Sequence, residues 1–195
     1  MSLLEIRKLC FSYKNSPTPL LRDFELTLDR RERVCLAAPS GRGKTTLLRL
    51  IAGLEKPDSG EIRLGGRVAY LFQEDRLLPW LTAEENLTLI GASREQALTA
   101  LESVGLDCAD KLPRELSGGM RRRLAIARTI CLGGEILLLD EPFSGLDPVS
   151  REKAATALDD TFRNAAVILI THIPEEAGIL GARLENFDPT PEKMI

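Results

Sequence analysis

The sequence has no apolar run approaching the ~20 residues that a helix needs to cross a bilayer, so nothing in it reads as a membrane span. Charges come too early in the opening MSLLEIRKLCFSYK for a signal peptide. No excess of positive charge is present either. The net charge is −3, which excludes a general electrostatic grip on nucleic acid. The four cysteines (Cys10, Cys35, Cys108 and Cys131) lie far apart with no C-x-x-C pair, which removes the usual zinc and redox motifs and leaves reduced core thiols. There is one histidine, His172, and no internal repeat. What the chain does have is ordinary for a globular fold: 44% hydrophobic and 28% charged residues over 195 positions, enough for one core with room for a small second lobe.

Several segments read as buried strands. VCLAA at 34–38, ILLLD at 136–140 and AVILIT at 166–171 are short continuous apolar runs, as in parallel strands covered on both faces. LLEIRKL at 3–9 and FELTL at 24–28 alternate, as strands with one wet face do. EIRL and RVAYLF flank Gly65-Gly66 and predict a hairpin. TTLLRLIAGL has helical spacing with Gly53 placed to stop it. Between residues 74 and 132 the pattern is mostly helical: Asn86–Leu89, then Ser93–Val104, opened by a Ser93/Gln96 capping box and stopped by Gly105. Asp147 caps a helix whose first position is Pro148 and which runs to about Asn164. Strands and helices alternate on both sides of the helical stretch, which predicts an α/β fold with a mostly parallel sheet.

The stretch CLAAPSGRGKTTLL joins a buried strand to a helix, the context in which a glycine-rich loop cradles phosphate. Gly41 and Gly43 let the loop that Pro39 opens fold round an anion, with the backbone N–H groups of Ser40, Gly41, Arg42 and Gly43 and of the helix start at Lys44, Thr45 and Thr46 turned toward it. Lys44 is placed for the β- and γ-phosphates and Thr45 for Mg²⁺. The alternative is a glycine turn with a solvated lysine. Ala38 stands where the motif G-x-x-x-x-G-K-[ST] has glycine; if that position needs positive φ, its Cβ costs roughly 1–2 kcal/mol. Arg42 has a side chain that either crosses an interface or is solvated at the loop's outer edge.

Asp140 and Glu141 follow an apolar strand, where open α/β sheets bind ligands. Asp140 suits Mg²⁺ and Glu141 a water-activating base, against two merely solvated acids. His172 and Gln73 also end apolar strands. The histidine could bond a γ-phosphate and orient water, and the Gln73 amide could reach Mg²⁺ or that water; either could instead be only structural. LSGGMRRRLAIAR at 116–128 leads small residues into a helix, a second anion cradle at Ser117, Gly118 and Gly119. One chain needs only one phosphate loop, so this cradle makes sense if it completes the site of another copy. Arg121–Arg123 reads as a solvated face.

Taken together and in this order, APSGRGKTT, Gln73, LSGGM, ILLLDE, SGLD at 144–147 and His172 resemble the motifs of the nucleotide-binding subunit of ATP-binding cassette (ABC) transporters. FQEDRLLPWLTAEENL with LSGGMRRRLAIAR resembles the nitrate, sulfonate and taurine importer ATPases. The resemblance implies a P-loop NTPase core (1–73 and 133–195) with an N-terminal antiparallel β portion and a helical signature lobe (74–132). It implies ATP with Mg²⁺, Tyr13 stacked on adenine, and Asp147 in the D-loop. It implies a head-to-tail homodimer with each ATP between Lys44 of one copy and Ser117-Gly118-Gly119 of the other. A membrane permease contacted by the lobe around Pro79-Trp80 follows, as does a substrate-binding protein, with the chain peripheral on the cytoplasmic face of the membrane. Trp80 buried within the lobe is the alternative. The sequence departs from the family pattern at Ala38, Arg42 and Ile173-Pro174, and little is left beyond residue 185 for a regulatory domain. A non-transport ABC ATPase acting on DNA or ribosomes is the second reading; the first would carry long heptad arms and the second two cassettes, and neither is seen. A binding module without hydrolysis is the third, and Lys44, Glu141 and His172 argue against it.

Overall fold

The computed structural model describes residues 2–14, 18–39 and 41–189. Two sheets organise it. Strands β1 (Leu4–Phe11), β2 (Leu21–Leu28) and β4 (Ser59–Leu64) form an antiparallel sheet in the order β2-β1-β4. Strands β3 (Arg33–Ala37), β5 (Val68–Leu71), β6 (Ile136–Asp140), β7 (Ala166–Ile170) and β8 (Arg183–Asn186) form a parallel sheet in the order β5-β6-β7-β3-β8.

Period-two alternation divides the central strands between two cores. Leu137 and Leu139 of β6 and Val167 and Leu169 of β7 join the helix-side core. Ile136 and Leu138, with Ala166, Ile168 and Ile170, join the core shared with the antiparallel sheet and with helix α1 (Lys44–Ile51). Both faces are therefore covered, which is why these strands read as unbroken apolar runs.

The helix-side layer consists of α2 (Ala83–Thr88), α3 (Arg94–Ser103), α4 (Gly118–Leu132) and α5 (Pro148–Thr161). A short 3₁₀ turn, Pro113–Glu115, precedes α4, and α6 (Pro174–Ile179) precedes β8. Caps fix the helix starts. Ser93 and Gln96 form the expected box on α3, and Asp147 accepts from Ser150 N with Pro148 at the first position of α5. A second box, Thr82 with Glu85, starts α2 at Ala83, three residues before the expected Asn86.

The structure corrects the hairpin at Gly65-Gly66. β4 ends in the antiparallel sheet, whereas β5 pairs in parallel with β6 in the other sheet, so the two glycines carry the chain between layers. A Cβ on Gly66 would lie 2.5 Å from Cβ of Glu135, and one on Gly65 would lie 2.9 Å from Ser2 O. Close backbone approach on both sides is what these glycines supply. Helix α5 ends at Thr161 rather than near Asn164. All four cysteines are free; Cys35 and Cys108 are buried, Cys10 and Cys131 only partly so. Among the described residues no helix is long and apolar enough to cross a membrane.

Candidate functional site

Four neighbouring strands of the parallel sheet end on one side, and each delivers a candidate residue. β5 leads to Gln73, β6 to Asp140 and Glu141, β7 to His172, and β3 to the glycine loop. Register brings them level: Asp140 pairs with Ile170, so Glu141 and His172 leave adjacent strands side by side. They line a cleft of about 460 Å³ together with Tyr13, Gly41, Gly43, Lys44, Thr45 and Thr46. This is the strand-end crevice that open α/β sheets use for ligands.

The loop is built as a cradle. Gly41 and Gly43 have φ of 78° and 93°, and a Cβ on Gly43 would sit 2.8 Å from Leu20 Cγ, so Gly43 is required both for its backbone and for space. Ser40 lies outside the described residues. Ala38 is not among the residues with positive φ, so its Cβ brings no left-handed strain and the departure from glycine costs the loop nothing there. Lys44 is 6% exposed, and its Nζ donates to Ala38 O at 2.6 Å and Pro39 O at 3.1 Å. A buried ammonium that, among the described residues, donates to carbonyl oxygens is a cation aimed at an anion.

Asp140 is buried at the strand end. Burial raises its pKa, opposed by hydrogen bonds from Thr45 and Tyr70 and by the Arg122 charge. The Thr45–Asp140 contact joins the start of α1 to the end of β6. Thr45, Asp140 and Gln73 offer hydroxyl, carboxylate and amide oxygens, a donor set suited to a hard cation such as Mg²⁺ that arrives with phosphate. Among the described residues no group of three or more His, Cys, Asp or Glu forms a cage.

Glu141 has φ of 50°, a left-handed conformation that costs a non-glycine residue about 1–3 kcal/mol and that concentrates at functional sites. Burial raises its pKa, and the nearby His172 opposes the shift. His172 Nε2 lies 3.2 Å from Glu141 Oε1. That oxygen is buried with no hydrogen-bond partner among the described residues. A carboxylate of raised basicity at a cleft wall, with an imidazole beside it, has the chemistry of a general base.

Tyr13 is 48% exposed at the cleft's rim, its hydroxyl 2.9 Å from Thr46 Oγ1 and its ring edge-on to Phe11. Arg42 is exposed and does not line the cleft. Ser117, Gly118, Gly119 and Asp147 are not among the cleft's lining residues. Ser117 caps α4 by accepting from Met120 N, and a Cβ on Gly119 would lie 3.4 Å from Gly145 O, so the two motifs adjoin each other instead. Trp80 is 70% exposed, not buried in the lobe. Its loop is braced by Asn86, whose side chain bonds Leu78 N and O, Leu81 O and Thr82 O.

The arginine run corrects another expectation. Arg122 is 3% exposed, Arg121 donates to Leu116 O, and Arg123 donates to Val104 O and Gly105 O, so this is no solvated face. The sequence held the signal: Arg122, Ala125, Ile126 and Thr129 follow the i, i+3, i+4, i+7 stripe, and all four are buried.

A family profile described as "ABC transporter" matches residues 21–144. An aliphatic sulfonates import ATP-binding protein of Pseudomonas syringae is 44% identical over 172 residues, covering 85% of this chain and 74% of the relative. A taurine import ATP-binding protein of Pseudomonas aeruginosa is 35% identical over 210 residues, covering 98% of this chain and 80% of the relative. A dimeric ATP-binding cassette solved in a post-hydrolysis state with ADP and Pi superposes with a TM-score of 0.87 at 28% identity, covering 97% of both chains.

Proposed function

Because this chain belongs to the ABC transporter family, we propose that it powers an importer of the sulfonate and taurine type, working as a head-to-tail dimer on a membrane permease. It is an ATP-binding and ATP-hydrolysing subunit. The observation that carries the mechanism is the convergence of four strand ends on one cleft, with a buried ammonium, a strained acid and an imidazole facing the same space.

The backbone cradle at residues 41–45 and Lys44 hold the triphosphate, and Tyr13 supports the adenine. Thr45, Asp140 and Gln73 hold Mg²⁺, which neutralises charge on the phosphates when bound. Glu141 takes the proton of the attacking water, and His172 orients that water and the acid. Residues 1–73 and 133–195 act as the nucleotide core and 74–132 as the lobe. Ser117, Gly118, Gly119 and Asp147, set apart from their own chain's cleft, meet the nucleotide of the second copy. ATP closes the pair and hydrolysis releases it, a two-state switch biased by ligand. The exposed Trp80 on its Asn86-braced loop meets the permease, with the chain peripheral on the cytoplasmic face and a substrate-binding protein supplying cargo on the far side.

Co-purification tests the transport reading. The tagged chain is expected to leave detergent extracts with an integral membrane protein, and Trp80→Ala is expected to weaken that association while ATP turnover persists. Recovery with ribosomes or DNA, and no membrane protein, contradicts it.

A further inference from the structure

We infer that Arg122 is a positioning residue that couples each chain's own nucleotide cleft to the signature helix it offers to its partner. A guanidinium has five N–H donors, and here they meet five backbone carbonyls and one carboxylate. Nε donates to Pro142 O at 2.8 Å. Nη1 donates to Phe72 O at 2.7 Å and Gln73 O at 3.2 Å. Nη2 donates to Asp140 O at 2.9 Å and Glu141 O at 2.8 Å. The Asp75 carboxylate stands 3.5 Å away as its charge partner.

The acceptors fall into two groups. Asp140, Glu141 and Pro142 are consecutive, and their carbonyls turn in on one guanidinium. That convergence, with Glu141 N held by Ile170 O, goes with the left-handed backbone of Glu141. Phe72 and Gln73 open the segment that carries the cleft's amide. Arg128, six residues further along α4, donates to Asp75 O and Arg76 O and so fixes the rest of that segment. Helix α4 itself begins at the Ser117–Gly119 cradle. A shift of Gln73 toward phosphate or its cation must therefore either carry α4 with it or break bonds at Arg122. The helix bearing the cradle thus responds to what its own chain has bound.

The inference rests on the assignment of Gln73 and Glu141 to the cleft's chemistry, and its test is separable from that assignment. Lysine keeps the charge but offers three donors from one point, too few and too compact to span both groups. Arg122→Lys is expected to bind Mg²⁺ and a non-hydrolysable ATP analogue with a dissociation constant within about threefold of native, since no phosphate contact is touched, while kcat falls by more than about tenfold with little change in KM. Hydrogen exchange is followed with the same analogue at a concentration where the chain is monomeric. In the native chain nucleotide is expected to slow exchange at 41–46, 72–76 and 116–124; in Arg122→Lys only the first of these is expected to respond. No hydrolysis enters this readout, so a wrong choice of base, visible in Glu141→Gln alone, leaves it intact. Retention of the 116–124 response in the variant overturns the inference, as does its absence from the native chain. Loss of nucleotide binding in step with a lowered thermal midpoint also overturns it, because that is the mark of a merely structural arginine.

Discussion

Glu141→Gln is expected to bind Mg-ATP as the native chain does and to hydrolyse it roughly 10²–10⁴-fold more slowly, the usual worth of a positioned general base. The amide keeps the shape of the side chain and its place beside His172, so only proton acceptance is lost. ATP then persists, and the ATP-bound dimer is expected to accumulate and elute ahead of the monomer in size-exclusion chromatography. Stability provides a control. Burial holds the folded-state pKa of Glu141 above its unfolded value, so the carboxylate's contribution favours folding at low pH and is lost as pH rises through the folded pKa. At neutral pH and above, the neutral glutamine is therefore expected to melt no lower than the native chain. Turnover at the native rate removes Glu141 from the mechanism.

Lys44→Ala has the second large effect, first on binding and, at ATP concentrations below the weakened dissociation constant, on turnover as a consequence. The ammonium is buried, and the proposed mechanism has it meet phosphate in the ground state. A charge-assisted hydrogen bond contributes about 1.5–3 kcal/mol, so an isotherm with Mg-ATP is expected to show affinity lower by roughly 10–100-fold. The loss is compounded because Nζ also ties Ala38 O and Pro39 O, which fixes the loop's path. Unchanged affinity would reduce CLAAPSGRGKTTLL to a glycine turn.

The parts of this molecule that were plain in the sequence are those where local chemistry and tertiary role coincide. β6 and β7 are buried on both faces, so their burial is written directly as apolar runs. The cleft residues follow those runs at once, which is why Gln73, Asp140, Glu141 and His172 could be placed without contacts. The hairpin expectation at Gly65-Gly66 failed because paired glycines serve a sheet change as well as a tight turn. The difference lay in the flanks: β4 is mostly exposed and polar, whereas β5 is apolar throughout. β8 and α6 were not foreseen. RLEN has no strand pattern of its own and is a strand because β3 presents an edge in register. The place of Ser117–Gly119 outside their own chain's cleft was legible only as a surplus, because one chain needs a single phosphate loop; the head-to-tail arrangement that would use the second cradle came from family resemblance.

The central claim is that each ATP is held by two copies of this chain, and mixing two dead variants tests it most directly. A Cβ on Gly118 would meet nothing within 4 Å in its own chain, so Gly118→Asp is expected to fold normally and to place a repelling carboxylate where the partner's phosphate belongs. Lys44→Ala loses the loop's cation. In a head-to-tail pair formed from one of each, both defects fall on the same site and the other site is native. The account predicts that the mixture hydrolyses ATP although neither variant does so alone. Two inactive proteins that remain inactive when mixed, while still forming mixed dimers, would contradict it.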